Sequence, residues 1–76
     1  MSIDYAALLT DEQKHKILEQ RIAQFATEAY QHTLNKATCE ALNDAEGIAF
    51  VDKALVTLEA AITTHQAELA ALPAAE

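Results

Sequence analysis

Ile48, Val51, Leu55, Leu58, Ile62, His65, Leu69 and Leu72 follow one another in alternating steps of three and four residues. That spacing returns to one side of an α-helix every 3.5 residues, so these side chains form a stripe that demands a second helix against it. A strand cannot hold them on one face, because its side chains alternate every two residues. The chain has a single Gly and a single Pro, too few for the turns of a many-stranded β fold. The sequence therefore points to an all-α protein whose helices meet along a coiled-coil-like seam.

Helix boundaries follow from local chemistry. Residues 1–9, MSIDYAALL, read as a short apolar N-terminal arm in which Ser2 can cap one helical turn. Thr10 is a good N-cap, with Gln13 three positions on to return a hydrogen bond. Asp11 and Glu12 fall in the first turn, where the helix dipole favours negative charge. Good helix formers then run unbroken to about residue 42. The run Asn43-Asp44-Ala45-Glu46-Gly47 is the next punctuation, and Asn43 or Asp44 can cap a new helix. Pro73 ends that helix near Leu72. The expected organisation is an arm (1–9), a helix over about 11–42, a turn near 43–46, a helix over about 46–72, and a frayed tail over 73–76. One continuous bent helix is the alternative, since no Pro marks the turn. A compact three-helix monomer with the arm folded back is another.

The first helix matches the seam less well. His15, Leu18, Ile22, Phe25 and Ala29 keep the heptad, and beyond Ala29 its positions turn polar at His32, Lys36 and Cys39. The apolar stripe is expected to drift to Tyr30, Leu34, Ala37 and Ala41, following 3.6 residues per turn. Folding the chain near residues 44–45 sets Phe25 against Thr64 and His65, Ala29 near Ala60 and Ala61, and Leu18 level with Leu69 to Leu72. The expected intrachain seam is Leu18, Ile22 and Phe25 against Ile48, Val51, Leu55, Leu58, Ile62 and Leu69.

Two helices alone bury too little apolar surface to be comfortably stable. Large apolar side chains remain off the seam: Tyr5, Leu8 and Leu9 in the arm, Tyr30 and Leu34 in the first helix, Phe50 and Val56 in the second. These seven form the expected partner interface, met by another copy or by a larger protein lattice.

Little points to chemistry. Three histidines, His15, His32 and His65, fall on the seam, but the hairpin register spaces them by more than roughly 10 Å along the axis. Ligands of one ion lie about 2 Å from it, so they read as seam histidines that can make assembly pH-sensitive. Cys39 has no histidine at i±3 or i±4 and reads as a buried or half-exposed thiol near the turn. The carboxylate pairs Asp11/Glu12 and Asp44/Glu46 sit at helix starts, where capping accounts for them. There is no glycine-rich phosphate loop and no HExxH spacing. The expectation is a protein without enzymatic activity, cofactor or metal.

Charge narrows the partners. The chain carries 5 Lys and Arg against 12 Asp and Glu, a formal net of −7. That disfavours nucleic acid, which is gripped by clustered cations, and anionic membrane surfaces. No apolar run approaches the roughly 18 residues of a membrane span, and no secretory-signal pattern is visible. Most of the acidity lies in the second half, where Glu46, Asp52, Glu59 and Glu68 stand out.

The stretch Leu8–Asn35, LLTDEQKHKILEQRIAQFATEAYQHTLN, resembles small uncharacterised helical proteins of tailed-bacteriophage structural gene modules. The resemblance covers under half the chain and carries no catalytic motif. It implies a small virion component or assembly factor, located in the virion; without it the expected location is the cytoplasm. The leading expectation is thus a small structural or assembly protein. A small acidic inhibitor or adaptor, binding a host protein through the second helix, is the alternative.

Overall fold

The computed structural model describes residues 2–73. Two α-helices, α1 (Asp11–Ala41) and α2 (Ala45–Ala71), pack antiparallel, preceded by a 3-10 turn at Tyr5–Leu8. The fold is the expected all-α hairpin with a short N-terminal turn, and the continuous-helix alternative is excluded. Of the expected tail, residues 74–76 lie outside the described residues.

Each helix end is closed by the chemistry of its own sequence. Thr10 Oγ1 accepts the Gln13 N–H at 3.1 Å, and Gln13 Oε1 accepts the Thr10 N–H at 2.9 Å, forming a reciprocal capping box. At the other end of α1, Asn43 adopts φ 55°, the left-handed conformation that Asn tolerates better than most side chains. That reversal lets Asp44 N–H reach the Cys39 carbonyl at 2.9 Å and Asn43 N–H the Glu40 carbonyl at 3.1 Å. Asp44 then caps α2, its carboxylate accepting the Gly47 N–H at 3.0 Å. Asn43 and Asp44 thus divide the two roles between them. The arm's turn is capped by Asp4 and not by Ser2, because only Asp4 stands three residues before Ala7, whose N–H it accepts.

The α2 seam runs as expected. Val51 and Leu58 are buried, at 4% and 9% exposure, and Ile48, Leu55, Ile62, His65, Leu69 and Leu72 are half-buried. On α1 the expected drift of the stripe is overturned. Leu18, Ile22, Phe25 and Ala29 are half-buried, and so are the polar heptad positions His32, Lys36 and Cys39. Tyr30, Leu34, Ala37 and Ala41 are exposed. The partner helix decides this: α2 presents a 3.5-residue stripe along its whole length, so α1 keeps the same period even where its residues are polar. Lys36 meets the demand by laying its stem along the seam while its ammonium reaches Asp52 at 2.7 Å.

Two close approaches fix the register. Phe25 meets His65 edge-on at 4.9 Å between ring centroids. Near the turn, a Cβ placed on Gly47 would lie 2.6 Å from Cys39 Sγ and 2.5 Å from Asp44 Oδ2, so a side chain here would have to displace the Cys39 thiol and the capping carboxylate of Asp44.

Candidate interaction surface

The molecule is a thin slab of 49 × 33 × 14 Å, with a radius of gyration of 16.7 Å against about 11 Å for a compact chain of this length. Its accessible surface is 5961 Å², where a compact monomer of this mass exposes about 4,600 Å². Tyr5, Leu8, Tyr30, Leu34, Phe50 and Val56 are all exposed, and Leu9 stands at the margin of exposure. The arm does not fold back to make a third helix. Its single 3-10 turn leaves Ile3, Tyr5 and Leu8 in solvent, and only Ala6 and Leu9 reach toward the hairpin.

Three further exposed apolar positions belong with these: Ile3, Ile17 and Leu42. Leu42 is the C-cap of α1 and falls in the same heptad row as Lys14. Ile17 lies one residue before the seam residue Leu18. A heptad projection of α1 extended to its cap exposes both signals.

At the open end of the hairpin, Ala6 and Leu9 of the arm join Lys14, Ile17, Leu18, Glu68 and Leu72 around a groove of about 220 Å³. The groove places Lys14, Ile17 and Glu68 on one broad face of the slab. Phe50 lies four residues before Ala54, which shares the heptad row of Glu68, so Phe50 leaves α2 on the same flank of the seam, about 50° round from that row. Arg21 and Glu28 continue the row of Lys14 at heptad spacing, and Ala54 and Ala61 that of Glu68. This face therefore has a groove at one end and an exposed Phe50 and Leu42 at the other. Tyr30 and Val56 leave the seam on its opposite flank.

Polar groups along the seam are largely satisfied within the hairpin. Arg21 donates its Nε–H to His65 Nε2 at 2.9 Å, and the other ring nitrogen, Nδ1, donates to the Ala61 carbonyl at 2.6 Å. The Arg21 guanidinium also lies 5.2 Å from the Phe25 ring centroid. His15 Nε2–H donates to the Pro73 carbonyl at 2.8 Å, tying the chain beyond α2 to the start of α1. His32 Nδ1 is buried without a hydrogen-bond partner among the described residues. The hydrogen bond to Asp52, then that carboxylate's charge, raises the Lys36 pKa above its ordinary value; slight desolvation opposes this and Glu40 adds to it. Lys36–Asp52 and the exposed Lys16–Glu12 pair are the ion pairs among the described residues.

Among the described residues, no three His, Cys, Asp or Glu side chains gather as a metal site, and no helix is long and apolar enough to cross a membrane. No protein-family model, curated protein or solved structure matches this chain.

Proposed function

We propose that this chain is a non-enzymatic structural or assembly protein, acting through its apolar helix faces on a larger protein assembly or on its own copies. The observation that carries the reading is the imbalance between core and surface. Val51 and Leu58 are the buried apolar side chains among the described residues, while ten large apolar side chains stand exposed. A stable monomer rarely keeps so much apolar surface in water, and association covers it. The resemblance of residues 8–35 to phage structural-module proteins extends the reading to a virion component.

The acidic-adaptor reading draws on fewer groups. Asp52 is engaged by Lys36, which leaves Glu46, Glu59 and Glu68 without ion-pair partners among the described residues. Reversing Glu46 and Glu59, which lie away from the groove that Glu68 lines, should leave docking through apolar faces intact and abolish an electrostatic adaptor.

The test is solution mass across a concentration series, with far-UV circular dichroism on the same samples. Association coupled to helicity, either with itself or on mixing with a purified assembly component, is the expected result. A fully helical monomer at high dilution, with a high melting temperature, would sink the reading. Virion membership is checked by peptides of this chain in gradient-purified particles.

A further inference from the structure

We propose that the flank opposite the groove, built around Tyr30 and Val56, is the docking surface for a basic, amphipathic helix of another protein. The proposal rests on the docking branch of the function proposed above and names its face and the partner's chemistry.

Position along the heptad sorts the two broad faces. In an antiparallel pair, residues that directly follow a seam position leave both helices on one flank, and residues that directly precede one leave on the other. Tyr30 follows Ala29, and Val56 follows Leu55. Both are about two-thirds exposed, at 65% and 67%. The contacts Phe25–His65 and Lys36–Asp52 set the register, which brings Tyr30 and Val56 level with each other to within one helical turn. Each helix thus offers a large apolar side chain at the same height on one face. Ala23, Ala26 and Ala37 follow the seam residues Ile22, Phe25 and Lys36 on that flank, so a helix can lie close beside Tyr30.

Charge selects the occupant. Glu19, Glu40 and Glu59 follow Leu18, Cys39 and Leu58 and so stand on this flank. All three are exposed and outside the ion pairs among the described residues. The nearby cations are engaged: Lys16 pairs with Glu12, and Lys36, which lies in the seam and also feels Glu40, pairs with Asp52. The groove flank differs, since Lys14 and Arg21 there offset Glu28 and Glu68. A second copy laid face to face on the Tyr30 flank would set acid against acid. Lys and Arg beside apolar residues match both the charge and the anchors.

Glu59 lies level with Tyr30 across the seam. Glu19 and Glu40 lie eleven and ten residues from Tyr30, roughly 15 Å to either side along α1. The complementary segment is therefore a helix of roughly 20 residues with an apolar centre and cations toward each end. On such a surface apolar anchoring and charge act together. Reversing Glu59 then gives a partial loss of binding, between the outcomes expected of purely apolar docking and of a purely electrostatic adaptor.

The experiment is fluorescence anisotropy of a labelled synthetic helix of about 20 residues, made of Leu, Ala and Lys with Lys flanking the Leu row, titrated with the full chain. Its controls are the same residues scrambled, and the same helix with Glu in place of every Lys. Circular dichroism on each variant verifies the hairpin. The ordered basic helix is expected to bind, and to bind more weakly as salt rises from about 0.1 to 1 M and the screening length shrinks from about 10 to 3 Å. The Glu helix is expected not to bind. Tyr30→Ala and Val56→Ala are each expected to raise Kd about tenfold. Glu59→Gln is expected to reduce the salt dependence, and Phe50→Ala, on the other face, to leave binding unchanged. Binding that ignores Tyr30→Ala and Val56→Ala, or that the scrambled peptide matches, is charge attraction alone and would overturn the proposal. So would absence of binding at roughly 1 mM chain. Dependence on Phe50 instead would overturn this face and leave apolar docking standing. Self-association abolished by Tyr30→Ala would assign the face to a second copy and overturn the choice of partner. The broader docking reading fails separately, through a stable helical monomer in the dilution series.

Discussion

Arg21 on α1 donates its Nε–H to His65 Nε2 on α2, 2.9 Å away, where the second helix's apolar seam is interrupted. Because Nε2 accepts, the imidazole is neutral and carries its proton on Nδ1, where the Ala61 carbonyl receives it. Ring ¹⁵N shifts of His65 at neutral pH should therefore report the Nδ1–H tautomer. Arg21→Ala should lower stability by roughly 1 kcal/mol through the lost hydrogen bond. A ring protonated on Nε2 would show that the contact is drawn wrongly.

Lys36 and Asp52 give the hairpin an alkaline limit. The folded-state pKa of Lys36 is raised above its unfolded value by Asp52. The stabilisation is therefore fully present below the ordinary lysine value and is lost as pH rises through the raised one. Thermal melts should hold level from neutral pH to about 10 and then fall. Asp52→Asn should flatten that alkaline fall without changing the helix content at pH 7.

Leu58 and Val56 are two residues apart and should behave oppositely. Leu58 is 9% exposed at the middle of the seam, so Leu58→Asp forfeits about 2 kcal/mol of apolar burial and sets an unpaired charge between the helices. A hairpin with one seam should unfold. Val56 is exposed, and Val56→Asp should shift monomer stability by no more than about 0.5 kcal/mol. Equal loss of circular-dichroism signal in both variants would mean the faces are misassigned.

Gly47 sets steric fit against helix propensity. Alanine is favoured over glycine inside a helix by about 1 kcal/mol, yet its Cβ would lie 2.5 Å from the capping carboxylate of Asp44 and 2.6 Å from Cys39 Sγ. Gly47→Ala should lower the melting temperature, because the cap must move. Adding Cys39→Ala should recover part of the loss and not all of it, since the clash with Asp44 persists. A rise in melting temperature for the single variant would show that the turn relaxes freely.

The fold was legible because its determinants are local or periodic. The Thr10–Gln13 box, the Asn43-Asp44 turn and the α2 heptad can each be read from a few residues, and each appears in the structure. The path of the α1 stripe was not legible. Taken alone, Tyr30, Leu34, Ala37 and Ala41 offer a more apolar face than His32, Lys36 and Cys39, and hydrophobicity would choose the former. The choice belongs to α2, whose strict 3.5-residue period fixes which side of α1 is covered.

The candidate surface divides in the same way. That Tyr5, Leu8, Phe50 and Val56 lie off the seam follows from spacing. Only the tertiary structure put the arm's Ala6 and Leu9 beside Ile17 and Leu72, made a groove there, and set Phe50 on the groove's face with Tyr30 and Val56 on the opposite flank. Sequence alone determined that this chain forms two helices and leaves apolar surface uncovered, because capping and periodicity act over one or two turns. Which apolar residues share a surface depends on how the helices are rotated about their own axes, and that rotation is fixed only when both seams meet.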